Sequence, residues 1–315
     1  MSNIRIIPVT TRKGLRAFVN FYYELYKGNK FAVPFLRFDE MNTLSKRKNP
    51  AFEFCEAQYF LAVDGEARIV GRVAAIINRR ANEQWNKKQV RFGWFDFVDD
   101  LEVSQALLNA VEAWGRTKGM TECVGPLGFT DMDREGLLIE GFHHKSTMYI
   151  NYNYPYYKNH MEVMSFYEKD NDWLEYRIKV PEEPPAKFAR TAEMIEKRYN
   201  LHVHKFTSRE LVKGGMGREV FHIVNETYKD LYDFQQLTDS QIDKYVNDYI
   251  KKADLNLVTG VVDGNDGNRL IGFGVSFPSF TDALQKIGNG KLLPWGWLKI
   301  LKVLKLHATD TVDLL

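Results

Sequence analysis

One pattern occurs twice in this sequence and constrains its fold more than any other feature. Residues 60–73 read FLAVDGEARIVGRV, and residues 259–275 read TGVVDGNDGNRLIGFGV. In each copy an Asp-Gly pair separates two β-rich runs, which is typical of a β-hairpin. Because the copies lie about 200 residues apart, they predict an internal duplication of one structural unit.

The length of the chain supports this division. At 315 residues the chain exceeds what one hydrophobic core usually organises, since such cores stop growing at roughly 250 to 300 residues. The best linker candidate combines Pro181, Pro184 and Pro185 with two glutamates, a composition typical of connecting segments. We therefore predict domains of residues 1–180 and 181–315.

Composition excludes several classes of protein. The 43 basic and 41 acidic residues leave a net charge of +2, too little for a global field that collects nucleic acid. The two cysteines belong to no CxxC motif or Cys/His cluster, so we expect neither a disulfide framework nor a metal site. The N-terminal apolar run is interrupted at Arg5 and Pro8 and does not resemble a signal peptide. Lysines interrupt residues 292–306, so we expect no membrane span and a cytoplasmic protein.

Local patterns predict the remaining elements. A strand at 4–9 leads to a helix at 13–26 that Thr10 or Thr11 caps. Strands at 58–63 and 69–77 form the first hairpin, a strand at 90–98 precedes a helix that ends near Gly119, and further strands are predicted at 121–124 and 173–180. The second half has predicted helices at 186–199, 219–228 and 239–250, and hairpin strands at 255–262 and 269–277.

This order of elements, repeated in both halves, resembles the GNAT superfamily of acyl-CoA N-acyltransferases. The segment GPLGFTDMDREG at 125–136, with EGF at 140–142 and the tyrosine-rich stretch after it, resembles bacterial tandem GNAT-like proteins over nearly the whole chain. The resemblance implies an α/β (mixed α+β) fold of two units. Each would be a mostly antiparallel mixed sheet flanked by helices, with the second unit incomplete.

The resemblance also implies a reaction. In GNAT enzymes a neutral amine attacks the thioester of acetyl-CoA or another acyl-CoA, and the fold positions the reactants. The acceptor would be a small-molecule or peptide amine in a cleft between the halves. The family's diagnostic loop, Arg/Gln-x-x-Gly-x-Gly/Ala after the fourth strand, holds the pyrophosphate at a helix N-terminus.

Neither half of the sequence carries that loop. In the first half, residues 98–105 lack glycine and place Asp99, Asp100 and Glu102 at the helix start, where they would repel a pyrophosphate. We therefore predict a degenerate first copy. In the second half the strand at 309–315 occupies the fourth-strand position and the sequence then stops. The loop is expected beyond Leu315 if the natural protein continues, and a protein that ended there is not expected to be a working acyltransferase.

The resemblance assigns candidate roles to that last strand. Asp313 and Asp310 are candidates for an acidic general base, and Val312, Leu314 and Leu315 for contacts to the cofactor. The alternative is that both aspartates are edge-strand charges that discourage aggregation. We expect this apolar edge either to contact another chain, as in a homodimer, or to fray.

Other residues have a functional and a structural interpretation. Asp131, Asp133 and Arg134, with Glu135, form a dense charged loop that could line a substrate pocket or stabilise turns. Tyr154 and Tyr157, from the tyrosine-rich stretch, could line the same pocket or pack between domains.

The helix at 292–306 is amphipathic and basic, so it could contact a membrane, a partner chain or an acyl tail, or cover the second sheet. Two classes of function stay open at this point: an N-acyltransferase, or a non-catalytic module that binds a ligand or a partner on a degenerate tandem scaffold.

Overall fold

The structure is a computed structural model that describes residues 4–164, 167–248 and 254–314. It is a mixed α/β protein with two sheets. The first sheet has the order β1-β2-β3-β4-β5, and its neighbours are antiparallel except for the parallel pair β4 and β5. Its strands are β1 (Arg5–Pro8), β2 (Cys55–Val63), β3 (Ile69–Asn78), β4 (Gln89–Phe97) and β5 (Glu122–Val124).

Helices cover both faces of this sheet. They are α1 (Arg12–Leu25), α2 (Arg37–Thr43), α3 (Arg79–Gln84), α4 (Leu101–Thr117) and α5 (Tyr156–Val163). On β3, Ala74 and Ile76 belong to the core that contains residues of α1, whereas Val73 and Ala75 belong to the core that contains residues of α4. The alternation of side chains along a strand thus accounts for the two cores. Thr11 caps α1 by accepting a hydrogen bond from the Gly14 amide, as the sequence predicted.

The second sheet is antiparallel throughout, in the order β6-β7-β8-β9. Its strands are β6 (Leu201–His204), β7 (Val258–Asp263), β8 (Arg269–Pro278) and β9 (Val312–Leu314). The helices of this half of the sequence are α6 (Ala186–Tyr199), α7 (Ser208–Val212), α8 (Met216–Tyr228), α9 (Asp239–Asp248), α10 (Thr281–Ile287) and α11 (Gly296–Leu306). A 3-10 helix spans Leu255–Leu257. α10 and α11 lie between β8 and β9 in the sequence, where the first half has α3.

The two Asp-Gly hairpins lie at equivalent places, which confirms this prediction. They connect β2 to β3 and β7 to β8, the second and third strands of their sheets. Gly71 pairs with Ala62 and Gly272 with Val261, so each glycine faces the residue two positions before the turn aspartate. The register also shifts at the same point, immediately before that aspartate. Identical local irregularities in both hairpins are what a duplication predicts.

One predicted strand is wrong. Residues 173–180 alternate apolar and polar side chains, but residues 167–185 form neither helix nor strand, and residues 168–185 are exposed. A strand is stabilised by pairing with a neighbour, and no described strand pairs with this segment. The alternating pattern was therefore insufficient evidence for a strand.

The chain forms two compact units. The first comprises residues 1–172, 233–235 and 279–309, and the second comprises 173–232, 236–278 and 310–315. The two units are defined by contacts between residues. The domains of residues 1–180 and 181–315 are defined by the sequence repeat, and they stay a prediction. Among the described residues, none of the helices combines the length and apolar character that crossing a bilayer requires.

Candidate functional site

The charged loop that follows β5 lies directly against β4. Leu127 donates a backbone hydrogen bond to the Phe92 carbonyl at 2.8 Å. A side chain on Gly93 would place its Cβ 2.4 Å from the Leu127 carbonyl oxygen, and one on Gly125 would lie 2.2 Å from the Phe92 carbonyl oxygen. Glycine at both positions therefore permits the close approach of the loop to the strand.

This approach gives a first prediction. Gly93→Ala is expected to lower the free energy of unfolding by about 1 to 3 kcal/mol, because the opposing atoms belong to backbone and cannot rotate away. Gly274→Ala is the matched control, since that glycine also lies in a strand and a Cβ there would meet nothing within 4 Å. Urea denaturation of both variants measures the difference. Equal stability of the two variants would contradict the packing described here.

Asp133 and Arg134 organise the loop itself. The Asp133 carboxylate accepts a hydrogen bond from the Phe129 amide at 2.8 Å, and burial raises its pKa. The Arg134 guanidinium pairs with Glu40 at 2.5 Å and lies 3.1 Å from the centre of the Phe35 ring. Both residues of the predicted pocket thus have structural partners, and their role toward a substrate stays a prediction.

An acidic cluster surrounds Arg91, a buried residue of β4. The Arg91 guanidinium lies 2.8 Å from an Asp233 carboxylate oxygen. Burial raises the pKa of Asp131 to about 7 and that of Glu135 to about 8. Nearby carboxylates, Asp233 first, contribute to this rise and Arg91 opposes it, and both effects are included in the two values. One carboxylate oxygen each of Asp131, Glu135 and Asp233 is buried without a hydrogen-bond partner in the described part of the chain.

These two carboxyl groups can exchange protons near neutral pH. A general base or acid is most effective when its pKa lies close to the working pH, and shifts of this size concentrate at functional sites. In each group one oxygen has no hydrogen-bond partner among the described residues, so it is free to carry a proton. Glu135 and Asp131 are therefore the candidate proton-transfer groups of this protein.

The raised pKa values predict how stability depends on pH. Glu135 ionises near its ordinary value of 4.5 in the unfolded chain and near 8 in the folded one, so the folded state holds more protons between those limits. The free energy of unfolding should therefore fall as the pH rises through this range. Glu135→Gln should reduce the fall and make the protein more stable than wild type at alkaline pH.

Chemical denaturation across that pH range tests this prediction, with Glu140→Gln as the control at an exposed position of the same loop. A Glu135→Gln variant that loses stability as steeply as wild type would contradict the burial of an ionisable group at this position.

Tyr157 and Tyr154 lie in a polar network within the first unit. The Tyr157 hydroxyl is 3.1 Å from the Tyr26 hydroxyl and accepts a hydrogen bond from the Phe97 amide. Tyr26 in turn donates to Asp96. Tyr154 stacks on Tyr26 with 5.1 Å between ring centres. Tyr157 is fully buried, so it belongs to the core, and a substrate-binding role for either tyrosine stays a prediction.

A cavity of about 470 Å³ opens beside this network. Its lining residues include Tyr22, Tyr23, Tyr26, Lys30, Ala32 and Gln285. The Tyr23 hydroxyl donates to the Phe35 carbonyl at 2.8 Å, and burial and Glu40 raise the pKa of Tyr23, whereas Arg37, Arg72 and Arg134 lower it. Arg134 lies against the ring of the same Phe35, so one residue connects it to the cavity lining. Its volume is within the range of pockets that hold small molecules.

The other predicted residues lie in the second unit. Asp313 is on β9 opposite Phe277, and Val312 pairs with Pro278 in the same ladder. Asp310 precedes the strand and is exposed. Leu314 is exposed, and Leu315 lies outside the described residues. β9 has the predicted fourth-strand position, while the catalytic and cofactor roles of these residues stay predictions.

The start of α4 agrees with the acidic character expected there. Asp100 accepts a hydrogen bond from the Glu102 amide at 2.9 Å, and Asp99 lies 3.1 Å from a ring nitrogen of His160. A carboxylate thus caps the helix where a pyrophosphate would need its amides. Among the described residues, no group of three or more His, Cys, Asp or Glu side chains is arranged to hold a metal ion.

Sequence reasoning missed Arg91 and Asp233. Arg91 stands in the strongly apolar strand QVRFGWFDF, and a charge in such a strand is a signal that it needs a buried partner. No comparable signal marks Asp233, which is 142 residues away in the chain and becomes its partner only through the fold.

Comparisons with known proteins found relatives along most of the chain. It is 27% identical over 308 residues to protein YghO of Escherichia coli (strain K12), which covers 95% of this chain and 74% of that protein. It is 26% identical over 316 residues to the bacterial ceramide synthase of Caulobacter vibrioides, which covers 98% of this chain and 79% of that one. No family model matches the chain.

Solved structures similar to this chain include GNAT proteins. One is a tandem GNAT protein from the clavulanic acid biosynthesis pathway, with 12% sequence identity and a TM-score of 0.44. The similarity covers 87% of this chain and 74% of that one.

Proposed function

We propose that this protein is an N-acyltransferase that moves an acyl group from acyl-CoA to an amine. The observation that carries the proposal is the pair Asp131 and Glu135, whose carboxyl groups have raised pKa values and buried oxygens without hydrogen-bond partners in the described part of the chain. Aminolysis of a thioester needs a group that removes a proton from nitrogen at neutral pH. The pKa values of these carboxyl groups meet that requirement.

The reaction proceeds by attack of the amine nitrogen on the thioester carbonyl carbon. A C–N bond forms, the C–S bond breaks, and the sulfur leaves as the thiolate of coenzyme A. The ionised Glu135 carboxylate accepts the proton that the nitrogen loses. The neighbouring Asp131 carboxylate raises the pKa of Glu135 and so strengthens it as a base. Arg91 acts as a positioning residue. Its positive charge lowers the pKa of both Asp131 and Glu135, which favours their ionised forms. Acyl-CoA is a cytoplasmic co-substrate, so we propose that the protein acts in the cytoplasm.

We further propose that the acceptor is a long-chain amino alcohol. The similarity to bacterial ceramide synthase extends over 98% of this chain, and a ceramide is the amide of a fatty acid with such an amino alcohol. The cavity beside Tyr22, Tyr23 and Ala32 is a candidate site for an apolar chain. In this account Asp313 and Asp310 remain candidates for a base of the second unit, with Val312, Leu314 and Leu315 as candidate contacts to acyl-CoA.

Release of free thiol tests the proposed reaction. The purified chain is incubated with long-chain acyl-CoA, with and without a long-chain amino alcohol, and thiol is followed with a chromogenic disulfide. We expect release that depends on the amine. Ala32→Trp, which fills the cavity, should raise the KM for the amino alcohol more than that for acyl-CoA. Release that is the same with and without the amine would mean hydrolysis and would contradict the proposal.

A further inference from the structure

Helix α11 exposes a stripe of large apolar side chains. Trp297, Leu301 and Leu304 follow the i, i+4, i+7 spacing of a single helix face, and all three are exposed. Two further apolar side chains, Trp295 just before the helix and Leu306 at its last residue, are each 70% exposed. Single exposed apolar residues are ordinary on protein surfaces, but a contiguous patch marks an interaction site.

The charge around this stripe has one sign. Residues 283–309 contain Lys286, Lys291, Lys299, Lys302 and Lys305 and no Asp or Glu. In the part of the chain that the structure describes, no ion pair forms between a carboxylate and Lys291, Lys302 or Lys305. A chain with a net charge of only +2 thus concentrates free positive charge beside exposed apolar side chains.

The helix itself is attached to the first unit. Val303, on another face of α11, is buried. The Lys299 ammonium donates a hydrogen bond to the Lys286 carbonyl of α10, and the Trp297 indole donates to the Pro294 carbonyl at 3.0 Å. One face of α11 is therefore packed while the stripe is left open, so the exposure is not a consequence of an undocked helix.

Helix α6 also exposes apolar side chains, including Phe188 and Met194, but its chemistry differs. It contains Glu193 and Glu196 among its basic residues and has no tryptophan. α11 combines tryptophan, leucine and unopposed lysine, which is the composition of helices that lie in a membrane interface.

We propose that residues 293–306 bind the surface of an anionic lipid bilayer. The tryptophans and leucines enter the boundary between headgroups and acyl chains, and Lys302 and Lys305 lie against the lipid phosphates. The helix lies in the plane of the interface and does not cross it. This inference does not depend on the proposed acyl transfer, although a bilayer is where a long-chain acceptor would be found.

Vesicle flotation tests the inference with the full chain. Vesicles of phosphatidylcholine containing phosphatidylglycerol are compared with vesicles of phosphatidylcholine alone, at low and high salt. We expect binding to the anionic vesicles that weakens with salt. Lys302→Gln with Lys305→Gln should reduce the partition constant roughly 30-fold, because each lysine near an anionic surface contributes about 1 kcal/mol.

A matched control and a second variant complete the test. Lys187→Gln with Lys197→Gln removes the same charge from α6 and should leave vesicle binding unchanged. Leu301→Ser with Leu304→Ser should abolish binding while far-ultraviolet circular dichroism stays the same.

Absence of binding to anionic vesicles would overturn the proposal. Binding of the α11 variants that equals the binding of wild type would also overturn it. Light scattering that finds a dimer which Leu301→Ser with Leu304→Ser dissociates would assign the stripe to a second copy of the chain, and would also overturn it.

Discussion

Replacing Arg72 with methionine is expected to lower the free energy of unfolding by about 3 to 5 kcal/mol, the range for breaking a buried ion pair from one side. Arg72 is 2% exposed, and two of its nitrogens lie 2.7 Å and 2.6 Å from the same Asp96 oxygen. Without Arg72 the Asp96 charge loses its cation in a buried site. The same carboxylate accepts a hydrogen bond from Tyr26, so the loss extends to the polar network below the cavity.

Two further variants give this prediction its controls. Arg68→Met removes an exposed ion pair of the first hairpin and should cost less than about 1 kcal/mol. Arg72→Met with Asp96→Leu removes both buried charges and should be more stable than Arg72→Met alone, because no unpaired carboxylate remains. Urea denaturation measures all three. Equal stability of the Arg68 and Arg72 variants would contradict the assignment of a buried pair.

Glu135→Gln is expected to reduce kcat for acyl transfer roughly 10²- to 10⁴-fold, the range for losing a general base. The glutamine side chain has nearly the same shape but cannot take a proton from the amine. The acid limb of the wild-type pH profile, which should have its midpoint near the Glu135 pKa of about 8, should disappear in the variant. The pH dependence of the residual activity then reflects the ionisation of other groups.

Three expected results distinguish a role of Glu135 in catalysis from a structural role. Glu135→Gln is predicted to be more stable than wild type at alkaline pH, so unfolding cannot explain a loss of activity there. Glu135→Asp, which retains the carboxyl group, should recover part of the rate. Glu140→Gln should behave as wild type. A Glu135→Gln enzyme with unchanged kcat and an unchanged pH profile would remove this residue from the reaction.

Local signals in the sequence predicted much of the fold. The Asp-Gly turns determined where each hairpin reverses, and the threonine before α1 identified its cap, because both depend on neighbouring residues alone. The segment 173–180 has an equally regular alternation and forms no strand. Alternation describes which side chains could share a face, but a strand also needs a partner that only the fold supplies.

The candidate site was less predictable for the same reason. The sequence shows Asp131 and Glu135 as members of a dense charged loop, but their raised pKa values depend on burial against β4, which the sequence does not reveal. Arg91 could have been noticed as a charge within an apolar strand. Its partner Asp233 lies 142 residues away, and no pattern in the sequence associates the two.

Identification of the product tests the central claim most directly. The protein is incubated with acyl-CoA carrying carbon-13 in the carbonyl group and with a long-chain amino alcohol, and the lipids are analysed by mass spectrometry. We expect one labelled amide for each coenzyme A released, with the labelled carbon bonded to nitrogen. Labelled free fatty acid or an ester in place of the amide, or no consumption of acyl-CoA, would contradict it.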